Sequence, residues 1–338
     1  MATEMKILLS TKENVLVALT LLLVPLLLVE FYGISQMRAA HPEFATNADM
    51  PQFVDFLTAI AYSGVIVAVR YVLTRALKPL GRVLLEPKKR TNEDRVERFT
   101  TVLFKFIYFV GITYAGYYTM GHEEWFPKSL GGSGDMTKAY YLFNEAPSAG
   151  LKTYFLVQLG YHFHSLVYMV ALSPIRNDFI EMLVHHVTTI ILIGCAFIAN
   201  YTPSGATVAF VHDIGDVTGY AIKTIVDTGS TPLTIVMYVV LLVSWAYTRL
   251  YVFPTELIYN AVFVLPKLTP DIPLLMLHPV NFMLTMLLGL HIYWYGLFLV
   301  MGYNLITKGV KEDIQQHIQD KDSKNAEHIA LDEKAKHE

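Results

Sequence analysis

Eight separate runs of about 20 mostly apolar residues limit what this chain can fold into. They fall at roughly 14–32, 53–76, 100–120, 150–172, 180–199, 206–226, 232–253 and 280–304. A helix needs about 20 such residues to cross the hydrocarbon core of a bilayer. Backbone polar groups in lipid must be satisfied within the protein, which leaves helices or closed barrels, and these continuous runs exceed barrel strands. The expected fold is an all-α polytopic membrane protein with about eight transmembrane helices. Composition agrees: 54% of the 338 residues are hydrophobic and only 16% are charged, against about 25% in soluble domains. A net charge of −3 provides no field for polyanions, so nucleic acid is excluded as a partner. The single cysteine, Cys195, excludes a disulfide framework and a Cys-based zinc site.

Lys and Arg in the connections set the orientation. With the N-terminus in the cytosol, the cytosolic pieces hold Lys6, Lys12, the seven basic residues from Lys78 to Arg98, Arg176 and the six tail lysines. The opposite side holds only Arg38, Lys128, Lys138 and Lys267. Both termini are therefore expected in the cytosol. The first run is expected to be an uncleaved anchor: the small residues Ala39 and Ala40 lie well past Val29, with Phe31 and Tyr32 between. Three regions follow: residues 1–98 with two membrane helices and a basic cytosolic loop, 99–307 as the main membrane body, and 308–338 as a charged cytosolic tail. The stretch from Gly121 to Gly150 is the longest loop away from the cytosol and carries no phosphate-cradling motif.

Ionisable residues inside spans are costly and mark function. The fourth run carries Tyr161-His162-Phe163-His164, the fifth His185-His186 followed by Thr189, and the sixth His212-Asp213-Ile214-Gly215-Asp216 with Lys223 beyond. Four-residue spacing puts His212 and Asp216 on one helix face, and His185 and Thr189 on another. His185 and His186 are about 100° apart, so both face the interior only if their helix is largely enclosed. His162 and His164 are about 200° apart, so at most one lines a site. Counting about 1.5 Å per residue from the cytosolic ends brings the histidines and aspartates to a common depth of about 12–15 Å. Such a set suits acyl transfer, with histidine as base or nucleophile and a carboxylate taking a proton. It also suits metal ligation.

The run from His185 to Lys223 resembles the signature of the ceramide synthases, the longevity-assurance branch of the TLC-domain membrane proteins. The matching positions are His185, His186, Thr189, Asn200, Gly205, His212, Asp213, Asp216, Ala221 and Lys223 at kept spacing. Asn177-Asp178-Phe179, Thr248-Arg249-Leu250 to Pro254, and the aromatic last span around Trp294 are also similar. Pro203 departs from the family, which usually has Arg there, and Tyr220 stands where an acid is common. The resemblance implies that the third to eighth helices form a six-helix TLC-type barrel. It implies a multi-pass acyltransferase of the endoplasmic reticulum that joins a fatty acyl group from acyl-CoA to the amine of a sphingoid base, giving ceramide or dihydroceramide.

Catalysis is then expected from His185, His186, His212, Asp213 and Asp216. Substrate contacts are expected from Thr189, Asn200, Lys223, His162 and Trp294. Lys223 has two readings: CoA phosphates at the cytosolic mouth, or a pair with Asp216. Arg249 is expected to cap or pair near the lumenal interface. No metal and no cofactor beyond fatty acyl-CoA as co-substrate is implied. The expected partners are fatty acyl-CoA, a sphingoid base and membrane lipids, with a homodimer or heterodimer left open. Two other classes compete: a non-catalytic TLC-domain lipid sensor or translocon-associated protein, and a membrane di-iron lipid hydroxylase. The latter lacks its usual motifs, since no span holds H-x-x-x-H or H-x-x-H-H. The sequon Asn200-Tyr201-Thr202 sits in a loop too short to be glycosylated. Lys334 and Lys336 resemble a dilysine retrieval signal.

Overall fold

The computed structural model describes residues 2–173, 178–270 and 272–308. Arg176, Asn177 and the tail bearing Lys334 and Lys336 lie outside the described residues. Eight long helices follow in order: α1 (Ala2–Ala40), α2 (Asp55–Ala76), α3 (Glu93–Met120), α4 (Ala149–Leu172), α5 (Phe179–Ile198), α6 (Thr202–Val226), α7 (Thr231–Leu268) and α8 (Leu274–Lys308). The chain is an all-helical membrane protein, and seven of these helices are long and apolar enough to cross a bilayer.

The exception is α6, which corrects the expectation of eight apolar spans. Its 25 residues reach about 37 Å at 1.5 Å per residue, so length suffices. Apolarity fails because the helix carries His212, Asp213, Asp216 and Lys223 together with Gly205, Gly215 and Gly219. It packs on α3, α4, α5 and α7, so protein takes the place of lipid around its polar residues.

The packing closes a ring. Going round, α3 touches α4, α4 touches α5, α5 touches α8, α8 touches α7, α7 touches α6, and α6 returns to α3. The outer helix α2 packs on α3 and α4, while α1 packs on α5 and α8. Only Ala59, Ile66 and Arg70 of α2 are buried. Its remaining face presents Leu57, Ile60, Val65, Val67 and Val72 outward, as a lipid-facing surface does.

Local chemistry explains the helix ends. The Asn92 and Ser148 side chains accept from the amides of Arg95 and Leu151, capping α3 and α4. Pro203 falls in the first turn of α6, where its missing N–H costs nothing, which accounts for that departure from the family pattern. Three bounds differ from the sequence reading. Helix α1 extends to Ala40 because Gly33 to Ala40 still has ring partners. Helix α7 continues past Pro254 to Leu268 through wide π-type turns, which accommodate a residue without an N–H. Helix α8 begins at Leu274 and includes Pro279.

The polar stretch from Gly121 to Gly150 folds back over one end of the ring. Trp125, Phe126, Met136 and Tyr140 are buried there, and Phe126 meets Phe210 of α6 at 5.4 Å between ring centroids. Tyr247 and Tyr117 donate to the carbonyls of Ser129 and Gly131.

Candidate functional site within the ring

Four helices bring their polar residues to one level inside the ring. The ring of His185 on α5 lies 6.4 Å from that of His212 on α6, and 5.5 Å from the Trp294 indole on α8, edge to face. His186 turns away from these toward α4, where its ring is 6.1 Å from His162. Adjacent histidines on a helix diverge by about 100°, and both remain enclosed because α5 has ring neighbours on either side. His164 points out of the ring to α2, with Nε2 3.4 Å from the Arg70 guanidinium. His162 is therefore the member of that pair that belongs to the cluster.

His212 has a fixed tautomer. Its Nδ1 lies 2.7 Å from the Val208 carbonyl oxygen, which only accepts, so Nδ1 carries the proton. In the neutral ring Nε2 is then an acceptor, and it lies 3.1 Å from Nε2 of His291. His291 is wholly buried, and the Trp245 indole donates to its carbonyl at 3.2 Å. His291 had no expected role. The available signal was its place one turn before Trp294 in the last span.

The two aspartates of α6 serve different helices. Asp213 accepts from the Tyr154 hydroxyl at 3.0 Å and from the Gln158 amide, both on α4. Asp216 pairs with Arg249 of α7 at 2.8 Å. The same guanidinium nitrogen donates to the His212 carbonyl at 2.8 Å. Arg249 is buried within the ring, which corrects its expected place near the lumenal interface. It approaches α6 at Gly215, where an added Cβ would lie 2.6 Å from its Nε. A side chain at that position would displace the guanidinium.

Around the histidines, the buried atoms with no hydrogen-bond partner among the described residues include Nδ1 of His162, His185 and His291, Oγ1 of Thr189 and Nε1 of Trp294. Native proteins pair nearly all their buried polar atoms, so this set is suited to receive polar groups of a bound molecule. Nearer the far end, Lys105 and Lys223 both lie over the Tyr220 ring, at 5.2 and 5.1 Å, and Lys105 reaches the Tyr220 hydroxyl at 3.4 Å. No three His, Cys, Asp or Glu side chains among the described residues converge as metal ligands.

Asn200 lies apart from the cluster. It turns α5 into α6 with a φ of 56°, and its Nδ2 donates to the carbonyls of Phe143 and Glu145 at 2.8 and 2.6 Å. It is 1% exposed, so the sequon side chain is committed to holding the loop. Asn and Asp tolerate the left-handed backbone better than most residues, which explains the residue type without a substrate.

The family model of the TLC domain matches residues 98–300. The chain is 26% identical to ceramide synthase 4 of Bos taurus over 71% of its own length and 60% of that protein. It is 27% identical to ceramide synthase 4 of Mus musculus, over 72% of its length and 61% of the relative. With ceramide synthase LOH2 of Arabidopsis thaliana the identity is 27%, over 75% of this chain and 86% of the relative. The matches thus span about three fifths of the animal relatives and most of the plant one.

Proposed function

This chain belongs to the TLC-domain family, and within it we propose that the chain is a ceramide synthase. It transfers a fatty acyl group from acyl-CoA to the amine of a sphingoid base, at the endoplasmic reticulum with both termini cytosolic. One observation carries this reading: His185, His212, His291 and Trp294 meet at one level inside a closed helical ring, beside buried polar atoms that lack partners. Such a site offers a histidine to a carbonyl and shields the intermediate from water. The names of the relatives support the substrate class.

The proposed chemistry has two steps. A ring nitrogen of His185 attacks the thioester carbonyl carbon, the C–S bond breaks, and the other ring proton leaves with the thiolate as free CoA. The sphingoid amine then attacks the acyl-imidazole, the bond to the ring nitrogen breaks, and the amide forms. The amine's proton returns to His185 through Asp213 or Asp216, aided by His212. The Val208 contact makes Nε2 of His212 the acceptor that faces His291, so a proton taken up by His212 would pass through the His212–His291 pair. Lys105 and Lys223, gathered at Tyr220, suit the phosphates of CoA entering at that end of the ring.

The test uses microsomes bearing the protein, a labelled long-chain base and acyl-CoAs from medium to very long chains. Labelled ceramide is expected with at least one acyl-CoA, and none with any of them overturns the reading. Acyl-CoA alone is expected to leave a hydroxylamine-sensitive acyl-enzyme. Its absence at single turnover would replace the covalent route with direct attack by the amine, a histidine acting as general base.

A further inference from the structure

Glu30 is a carboxyl group set into the apolar stretch of α1. It is 1% exposed, and its Oε2 is buried with no hydrogen-bond partner. It lines a pocket whose walls are mostly aliphatic, with Tyr140, Tyr201, Ser204 and Asn281 as its other polar side chains. Helix α1 lies outside the ring but packs on α5 and α8, and Glu30 enters the cavity from that side.

Three helices of the histidine cluster also line this pocket. On α5, Leu192 and Ala196 lie seven and eleven residues past His185, on the same helical stripe. On α6, Val208 lines the cavity and also holds His212 through its carbonyl. On α8, Leu284 and Val280 stand seven and eleven residues before His291, again on one stripe. Three histidine-bearing helices thus share their inner faces with this cavity. Cys195 is a neighbour of Glu30 and lies ten residues past His185, so about 15 Å separates the carboxyl from the histidines.

Glu30 is held where it is. An added Cβ at Gly33 would lie 2.8 Å from the Met276 Cβ, so α1 and α8 are in close contact one turn away. Two turns along, the Arg38 guanidinium donates to the carbonyls of Ile198 at 2.8 Å and Pro51 at 3.0 Å. A carboxyl in a membrane interior without a partner is destabilising and marks function.

We propose that Glu30 is a specificity-determining residue that hydrogen-bonds a hydroxyl carried far along a lipid tail, so that this cavity favours a hydroxylated chain over a plain one. The inference rests on the proposed acyl transfer, which places the reacting end of each lipid at the histidines and its tail in the cavity. Either lipid supplies the same chemistry: an acyl chain or a sphingoid tail hydroxylated near its far end. A hydroxyl at C2 of the acyl chain stays at the level of the histidines and serves as the control.

The experiment compares kcat/KM for plain, 2-hydroxy and terminally hydroxylated acyl-CoAs of equal length, each with a plain base. A second arm uses a terminally hydroxylated base with a plain acyl-CoA. The terminal hydroxyl is expected to raise kcat/KM about threefold to tenfold in one arm, the value of one hydrogen bond, and the 2-hydroxyl to give no such gain. The ratio falls to about one in Glu30→Leu and persists in Glu30→Gln, which keeps size and hydrogen-bonding capacity. A second readout needs no turnover: a lipophilic carbodiimide labels Glu30 in membranes, and the hydroxylated lipid protects it at lower concentration than its plain counterpart. Equal ratios in the parent and in Glu30→Leu, with ceramide still formed, overturn this inference and leave the acyl-transfer reading standing. Selective protection without any acyl transfer overturns that reading and retains the subsite. Protection equal for both lipids overturns the subsite in either case.

Discussion

Nε2 of His212 on α6 lies 3.1 Å from Nε2 of His291 on α8, and a main-chain carbonyl decides which of the two donates. Because the Val208 carbonyl accepts a hydrogen bond from Nδ1–H of His212, His291 must supply the hydrogen between the two rings. His291 thereby orients a residue that the proposed mechanism uses without itself being adjacent to His185 in sequence.

If that coupling operates, His291→Ala lowers kcat by about 10²-fold or more, the usual range for disrupted acid–base catalysis. Combined with His212→Ala it adds little, because residues acting as a unit are non-additive. Initial rates of the two single variants and the double variant check this; full additivity would separate the two histidines.

His185→Ala and His186→Ala are each expected to cut acyl transfer by about 10²-fold or more while the protein still accumulates. Only the His185 variant is expected to lose the hydroxylamine-sensitive acyl-enzyme, since His185 faces His212 and Trp294 while His186 faces His162. Trapping in the two variants at single turnover decides between them.

Asp216→Ala leaves a buried Arg249 guanidinium without its carboxylate, a change that costs about 3–5 kcal/mol. Adding Arg249→Met is expected to return most of that stability and none of the activity. Thermal unfolding in detergent and ceramide formation are measured side by side; restored turnover would mean that the pair is only structural.

Gly215→Ala and Gly219→Ala make a matched test on one helix. At Gly215 a Cβ would lie 2.6 Å from Arg249 Nε, while at Gly219 nothing lies within 4 Å. The first is expected to destabilise by about 1–3 kcal/mol through overpacking and to lower turnover. The second is expected to be neutral or to gain up to about 1 kcal/mol in helix stability. Equal effects on melting and rate would remove Gly215 from the placement of Arg249.

Asn200→Gly keeps the left-handed backbone and deletes the two hydrogen bonds to Phe143 and Glu145. The expected cost is about 1–3 kcal/mol, with KM for both substrates unchanged. A changed KM for the base or for acyl-CoA would return Asn200 to the substrate site.

The helical membrane body and the polar residues that matter were legible in the linear chain. Twenty apolar residues in a row admit few folds, and ionisable groups within them announce themselves by their cost. Helical periodicity also showed that at most one of His162 and His164 lines the site, the structure choosing His162, and the fixed spacing from His185 to Lys223 pointed to the family. None of these signals reaches across helices. That His291 rather than an aspartate bonds His212, that Arg249 lies within the ring on Asp216, that Asn200 holds a loop, and that Glu30 of an outer helix enters the cavity all depend on which faces meet. The hydrogen-bonded pairs among these join residues 33 to 79 positions apart. Spacing along one helix fixes angles about its own axis, whereas partners are chosen by the closing of the ring, where each helix's inner stripe is satisfied by neighbours distant in sequence.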